Sequence, residues 1–225
     1  MTNKNIKGFI NNSEIKWFLL LGAIGSLIFT FSWLIQEIFK EGYNPLMAPV
    51  SSLAIGPFGW IQSLTFIITG ILIVLFAFGL FKNSEREYKG VSKWGPILIA
   101  ICGIGLIGAG CFTTDPMNGF PEGTALVVKN PSFNSMMHQV FSSCLFFGLP
   151  LACYVFGNYF AIKRELRWLI YSFFSGIFFL IMFLITSLGF SQVEGLQYYA
   201  GLFQRITLII GFLWIAMLSY HFFKK

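Results

Sequence analysis

Six apolar stretches, each near the length that crosses a bilayer, run through this 225-residue chain and leave little between them. They span residues 17–39, 58–81, 94–112, 137–160, 168–190 and 202–222. About 20 residues of helix, rising 1.5 Å each, cover the roughly 30 Å of hydrocarbon. In lipid every backbone N–H and C=O must find its partner within the segment, so stretches like these fold as helices. The expectation is an all-α polytopic membrane protein: six transmembrane helices forming one domain over residues 1–225. The first stretch is too long for a signal-peptide core and lacks a small-residue cleavage site, so it reads as a retained helix.

The basic residues sort by side. Twelve of the fifteen Lys and Arg fall on one face of such an array: Lys4, Lys7 and Lys16; Lys82, Arg86, Lys89 and Lys93; Lys163, Arg164 and Arg167; Lys224 and Lys225. Only Lys40, Lys129 and Arg205 fall on the other. Loops rich in Lys and Arg resist translocation, which predicts both termini in the cytoplasm of a cell-membrane protein. Glu37, Glu41, Asp115, Glu122 and Glu194 then lie outside, and Glu14, Glu85, Glu87 and Glu165 inside. The net charge of +6 is explained by topology, so no nucleic-acid partner is expected. Membrane lipids are, because the inner basic excess favours anionic headgroups. Composition agrees. At 56% hydrophobic and 11% charged, with 28 Phe and mean hydropathy +0.74, the chain has under half the usual charged share of about 25%.

Small residues mark close helix contacts. Gly103, Gly105, Gly108 and Gly110 run along the third stretch, and Gly22 with Ser26 gives small-xxx-small spacing in the first. Gly148 and Pro150 predict a kink in the fourth. Segments 58–112 and 137–190 echo one another as two hairpins in the same orientation, each with Phe-Gly before a basic loop, which suggests a parallel repeat. Cys102 and Cys111 in the third stretch have the same spacing as Cys144 and Cys153 in the fourth, so antiparallel neighbours would set Cys111 against Cys144 and Cys102 against Cys153. Packing as small apolar residues is the simpler expectation over a disulfide.

Chemistry would use the polar residues that lipid disfavours. Arg205, preceded by Gln204, sits about one turn into the last stretch from its outer end. Asp115, after Phe112-Thr113-Thr114, is its expected carboxylate partner, and His138 opens the fourth stretch on the same side. Ser51 and Ser52 precede the second. Ser52, Asp115 and His138 are therefore the candidate catalytic residues, and Arg205, Gln204 and Ser51 the candidate ligand-binding ones. Each also has an ordinary use: Ser51 or Ser52 as a helix cap, Asp115 with Pro116 as a turn, His138 as an interfacial polar tip, Arg205 as a lipid-phosphate ligand. The two outer connections, 40–57 and 113–136, are the longest, and long loops concentrate function.

The run from Asn44-Pro45 to Ser51-Ser52-Leu53, the glycine-rich third helix ending Cys111-Phe112-Thr113-Thr114-Asp115, His138, and Gly201-Leu202-Phe203-Gln204-Arg205-Ile206 resemble the bacterial and archaeal integral-membrane family called domain of unknown function 998. The resemblance implies a six-helix membrane protein with Ser52, Asp115, His138 and Arg205 at its matching polar positions, and implies no activity.

Three functions stay open. One is a membrane enzyme acting on lipid or another amphiphile, with His138 as general base, Asp115 orienting it, Ser52 as nucleophile and Arg205 stabilising an anion. Its Ser, Asp and His inventory is similar to that of alkaline-ceramidase-like hydrolases, but those hold zinc with several His. Here His138 and His221 fall about a membrane thickness apart, so no metal site and no cofactor are expected. The second is a lipid or small-solute binding or transport protein, which for a large solute would need a homodimer. The third is a non-catalytic subunit of a partner membrane protein.

Overall fold

The computed structural model describes residues 12–87 and 93–225. Lys4, Lys7 and Lys89 of the basic clusters lie outside the described residues, as do the side chains of Glu85, Arg86 and Glu87. Six helices carry the fold: α1 (Asn12–Phe39), α2 (Gly59–Glu87), α3 (Trp94–Cys111), α4 (Phe133–Ile162), α5 (Leu166–Phe190) and α6 (Ala200–Lys224). All six are long and apolar enough to cross a membrane. Among the described residues there is no strand, only a single bridge between Met117 and Phe120. The expected stretches match the helices to within a residue or run inside them. α1 begins earlier and α2 ends later than the apolar runs they contain, and α4 begins a turn early, where the Ser132 hydroxyl accepts the Ser135 N–H at 3.1 Å, a cap that satisfies an otherwise orphaned donor.

The helices form a closed ring. Each packs chiefly against its neighbours in sequence, and α6 returns to pack on α1. The closure is fastened by Ser219 of α6, whose hydroxyl donates to Leu19 O at 2.6 Å and accepts from Ala23 N at 2.9 Å, sitting across one step of the α1 ladder. Phe29 of α1 stacks on Phe212 of α6 at 4.3 Å within the ring, and Phe66 of α2 approaches Phe29 at 5.5 Å. On the outside, Phe31, Leu151, Phe174 and Leu213 are 54–57% exposed. Bulky apolar groups turned outward on four helices would aggregate in water but are stabilised by lipid.

Glycine sets how near the helices come. Gly103 and Gly110 of α3 face α2, where an added Cβ would lie 2.8 Å from Gly70 O and 2.7 Å from Ser63 O. Gly105 and Gly108 face α4, where it would meet Phe141 O and the Phe141 ring. One glycine run thus serves two interfaces, the use expected of it. The cysteine register differs from expectation. Cys144 packs on Gly105, and Cys102 Sγ lies 3.7 Å from Cys144 O; Cys111 is exposed and all four thiols are free. The glycine faces, rather than the cysteines, set how α3 and α4 slide against each other. Pro150 lies inside α4, which continues through it.

Two ends differ. One carries the longer connections, 40–58 and 112–132, and is called the loop end; the other carries the short 163–165 connection. At the loop end the chain between α1 and α2 folds back into the ring. Its 3-10 segment Val50–Ala54, the plug, buries Val50, Ser52 and Leu53 to 1% exposure or less and touches α1, α2 and α6. Gly42 (φ +68°) and Gly56 (φ +74°) flank it, supplying left-handed turns that side chains oppose.

Candidate functional site

The loop end is organised by Arg205. One turn into α6, its Nε donates to Glu37 Oε2 of α1 at 2.9 Å, and Nη2 lies 2.9 Å from the same oxygen. Nη1 donates to Gly201 O at 2.8 Å and Ala48 O at 3.2 Å, and Nη2 to Tyr43 Oη at 2.7 Å. The guanidinium also lies 5.5 Å from the Trp33 ring centroid, a cation–π distance. All three nitrogens are thus engaged within the protein, so Arg205 offers nothing to an outside anion while these partners stay. The Tyr43 hydroxyl in turn donates a hydrogen bond to Pro49 O at 2.9 Å, and burial pushes its phenol up to about 12 despite the guanidinium beside it. Lys40 donates to Leu53 O, Ile55 O and Pro57 O; burial lowers its pKa. Arg205 and Lys40 therefore bind opposite ends of the segment that carries the plug.

Beneath the plug, on the ring's axis, lies a partly enclosed cavity of ≈ 40 Å³ to water-sized solutes, room for about three waters. Phe29, Phe66, Leu106, Leu145, Phe146 and Leu208 form its apolar wall; Ser51, His138, Ser142 and Gln204 are its polar members. Five helices and the plug contribute. His138 Nδ1 is 2.8 Å from both Ala109 O and Phe112 O. Both carbonyls belong to the end of α3 and can only accept, so Nδ1 carries the proton. In the neutral ring Nε2 is then a lone pair, and it has no hydrogen-bond partner among the described residues. Gln204 is fixed in the opposite sense. Its Oε1 accepts the Val50 N–H at 2.8 Å, which assigns the amide and leaves its NH₂ free of protein partners.

The sequence candidates divide accordingly. His138, Gln204 and Ser51 share the cavity. Arg205 does not line it but holds Tyr43 and Ala48, on the approach to the plug, and its carboxylate is Glu37, not the expected Asp115. The reason is ring closure: α1 and α6 are neighbours, whereas Asp115 follows α3. Asp115 instead accepts the Ser132 N–H at 2.7 Å and the Ser132 hydroxyl at 2.6 Å, tying the 112–132 connection to the α4 cap. The structure does not bring Ser52, Asp115 and His138 into a hydrogen-bonded triad. Ser52 is fully buried, with no partner for its hydroxyl. Two residues that sequence reasoning passed over matter here. Ser142 lies one turn beyond His138 on the same helix face, a spacing that could have flagged it. Tyr43 carried no signal, because its role depends on Arg205, far along the chain on α6, whose Nη2 donates to its hydroxyl at 2.7 Å.

His221, at the other end, lies 3.1 Å from Glu165 but without hydrogen-bond alignment. Lys225 makes the better contact to that carboxylate, at 2.6 Å. Among the described residues no three His, Cys, Asp or Glu gather as a metal-ligand set.

Fold and composition define a multi-pass, six-helix membrane protein. Residues 23–221 match the family described as protein of unknown function (DUF998), and the chain belongs to that family. No match was found among curated proteins or among solved structures.

Proposed function

We propose that this protein binds a small amphiphile by its polar head, which the axial cavity of ≈ 40 Å³ takes in place of water while the apolar chain stays outside it. The observation that carries the reading is the pairing of His138 and Gln204: each is fixed by backbone groups on one side and unpartnered on the other, within one cavity. Polar groups held in that way inside a membrane are costly unless a ligand or water meets them. The basic residue distribution orients the cavity toward the outer face of the cell membrane, with both termini cytoplasmic, and the whole chain acts as one domain. Binding is better supported than hydrolysis by Ser52, His138 and Asp115, because the carboxylate and the imidazole have separate partners.

The test is native mass spectrometry of the protein purified in nanodiscs made from its host membrane. A co-purifying amphiphile should be present on wild type and lost from Ser142→Leu, whose side chain fills the cavity, at unchanged melting temperature. An equal ligand load on a folded Ser142→Leu protein, or none on wild type, rejects the proposal.

A further inference from the structure

We infer that the head group this cavity takes is uncharged and carries a hydrogen-bond donor and an acceptor together, as in an alcohol or a primary amide. The inference rests on the binding reading above and adds the chemistry of the ligand. It follows from which hydrogen-bonding roles the protein has left open. His138 Nδ1 donates to two carbonyls, so Nε2 of the neutral ring can only accept. Gln204 Oε1 accepts from Val50 N, so its amide nitrogen can only donate. Ser51 and Ser142 add hydroxyls able to play either part. One acceptor facing one donor fits a hydroxyl, which gives its hydrogen to Nε2 while its oxygen receives the Gln204 amide; a carboxamide matches both in the same way.

Permanent charge is disfavoured by the same lining. The nearby cation, Arg205, is saturated by Glu37, Tyr43, Ala48 and Gly201, so an anion would enter an apolar cavity without a counter-charge. A quaternary ammonium would leave Nε2 and the Gln204 NH₂ unpaired, since it offers neither donor nor acceptor. Isolated ions in such surroundings are heavily penalised, whereas a neutral group with both roles filled is not.

Photo-crosslinking in nanodiscs separates the ideas. Diazirine-tagged hexadecanol, hexadecanamide, hexadecyl sulfate and hexadecyltrimethylammonium are irradiated with the full-length protein, and labelled cavity residues (Phe29, Phe66, Phe146) are counted by mass spectrometry. The alcohol and the amide should label there, and each charged probe at least tenfold less. Gln204→Glu keeps an oxygen for Val50 N–H and, at a pH high enough to ionise its carboxyl, replaces the free donor by an acceptor; labelled at that pH, it should cut alcohol labelling about tenfold, the loss expected for one hydrogen bond. His138→Phe should do the same, and Gln204→Glu guards against a fold defect in that variant because it preserves shape. Strong labelling by the sulfate or the ammonium, with the neutral probes weak, overturns the head-group inference while binding stands. Absence of cavity labelling by any probe overturns both. Alcohol labelling unchanged in a folded Gln204→Glu protein with its carboxyl ionised also rejects the inference.

Discussion

At the residue scale the determining fact is where one guanidinium finds its carboxylate. Arg205 and Glu37 have side chains only 7% and 15% exposed, so their pairing is shielded from screening and removing one partner strands the other. Arg205→Ala is expected to lower stability by about 3–5 kcal/mol, and Arg205→Met combined with Glu37→Leu to recover most of it, since a buried pair is replaceable by apolar groups but not divisible. A double-mutant cycle read by denaturant titration in detergent should give a large Arg205–Glu37 coupling and an Arg205–Asp115 coupling within about 0.5 kcal/mol. A large Asp115 coupling would contradict the arrangement. Tyr43 makes a second prediction at this scale. Its folded-state pKa, about 12, lies above the ordinary 10.0, so the folded protein holds this proton more tightly than the unfolded chain does. That stabilisation is fully present below pH 10 and is lost as pH rises from 10 towards 12. Stability measured across that window should fall more steeply for wild type than for Tyr43→Phe; parallel slopes would show that the phenol does not titrate differently on folding.

At the scale of elements, α3 is the least replaceable helix because its glycines face both neighbours. Gly103→Ala puts a methyl 2.8 Å from Gly70 O, and backbone on both sides leaves neither helix able to yield by a rotamer change. A loss of about 1–3 kcal/mol is expected in thermal or denaturant unfolding, against little change for Cys111→Ala on the exposed face of the same helix. Equal effects would mean that α2 and α3 do not meet there. This close packing was legible in the sequence, because glycine spacing on an apolar helix reports directly on approach distance. So were the six helices themselves, since bilayer thickness and backbone satisfaction leave one solution for apolar runs of that length. What was not legible was which helices close the ring, and Arg205 turned on that. Asp115 and Glu37 both fall near the right depth, and only the α1–α6 contact decides between them. The plug was hidden for a related reason: residues 50–54 read as an outer loop, and nothing local reveals that Gln204 and Lys40 hold them inward.

For the whole molecule, the ring and its direction in the membrane are separate properties with separate causes. The fold needs only that apolar surface face lipid and that small residues meet at the seams, which holds equally if the array is inverted. Direction is predicted from charge: Lys163, Arg164, Arg167, Lys224 and Lys225 gather at the short-connection end, while Lys40 and Arg205 at the loop end are held inside the protein by carbonyls and Glu37. Cations neutralised in this way still count during insertion, yet they are fewer than those at the other end, so the expected orientation has the short-connection end in the cytoplasm. Cysteine labelling reads the result. In a Cys111→Ser background, Lys129→Cys should react with a membrane-impermeant maleimide on intact cells, and Lys163→Cys only after the membrane is opened. The reverse pattern would invert the molecule and move the cavity to the cytoplasmic face while leaving the ring intact. Reaction of both positions from outside is incompatible with α4, the one helix between them, crossing the membrane, and would undo the architecture on which the axial cavity depends.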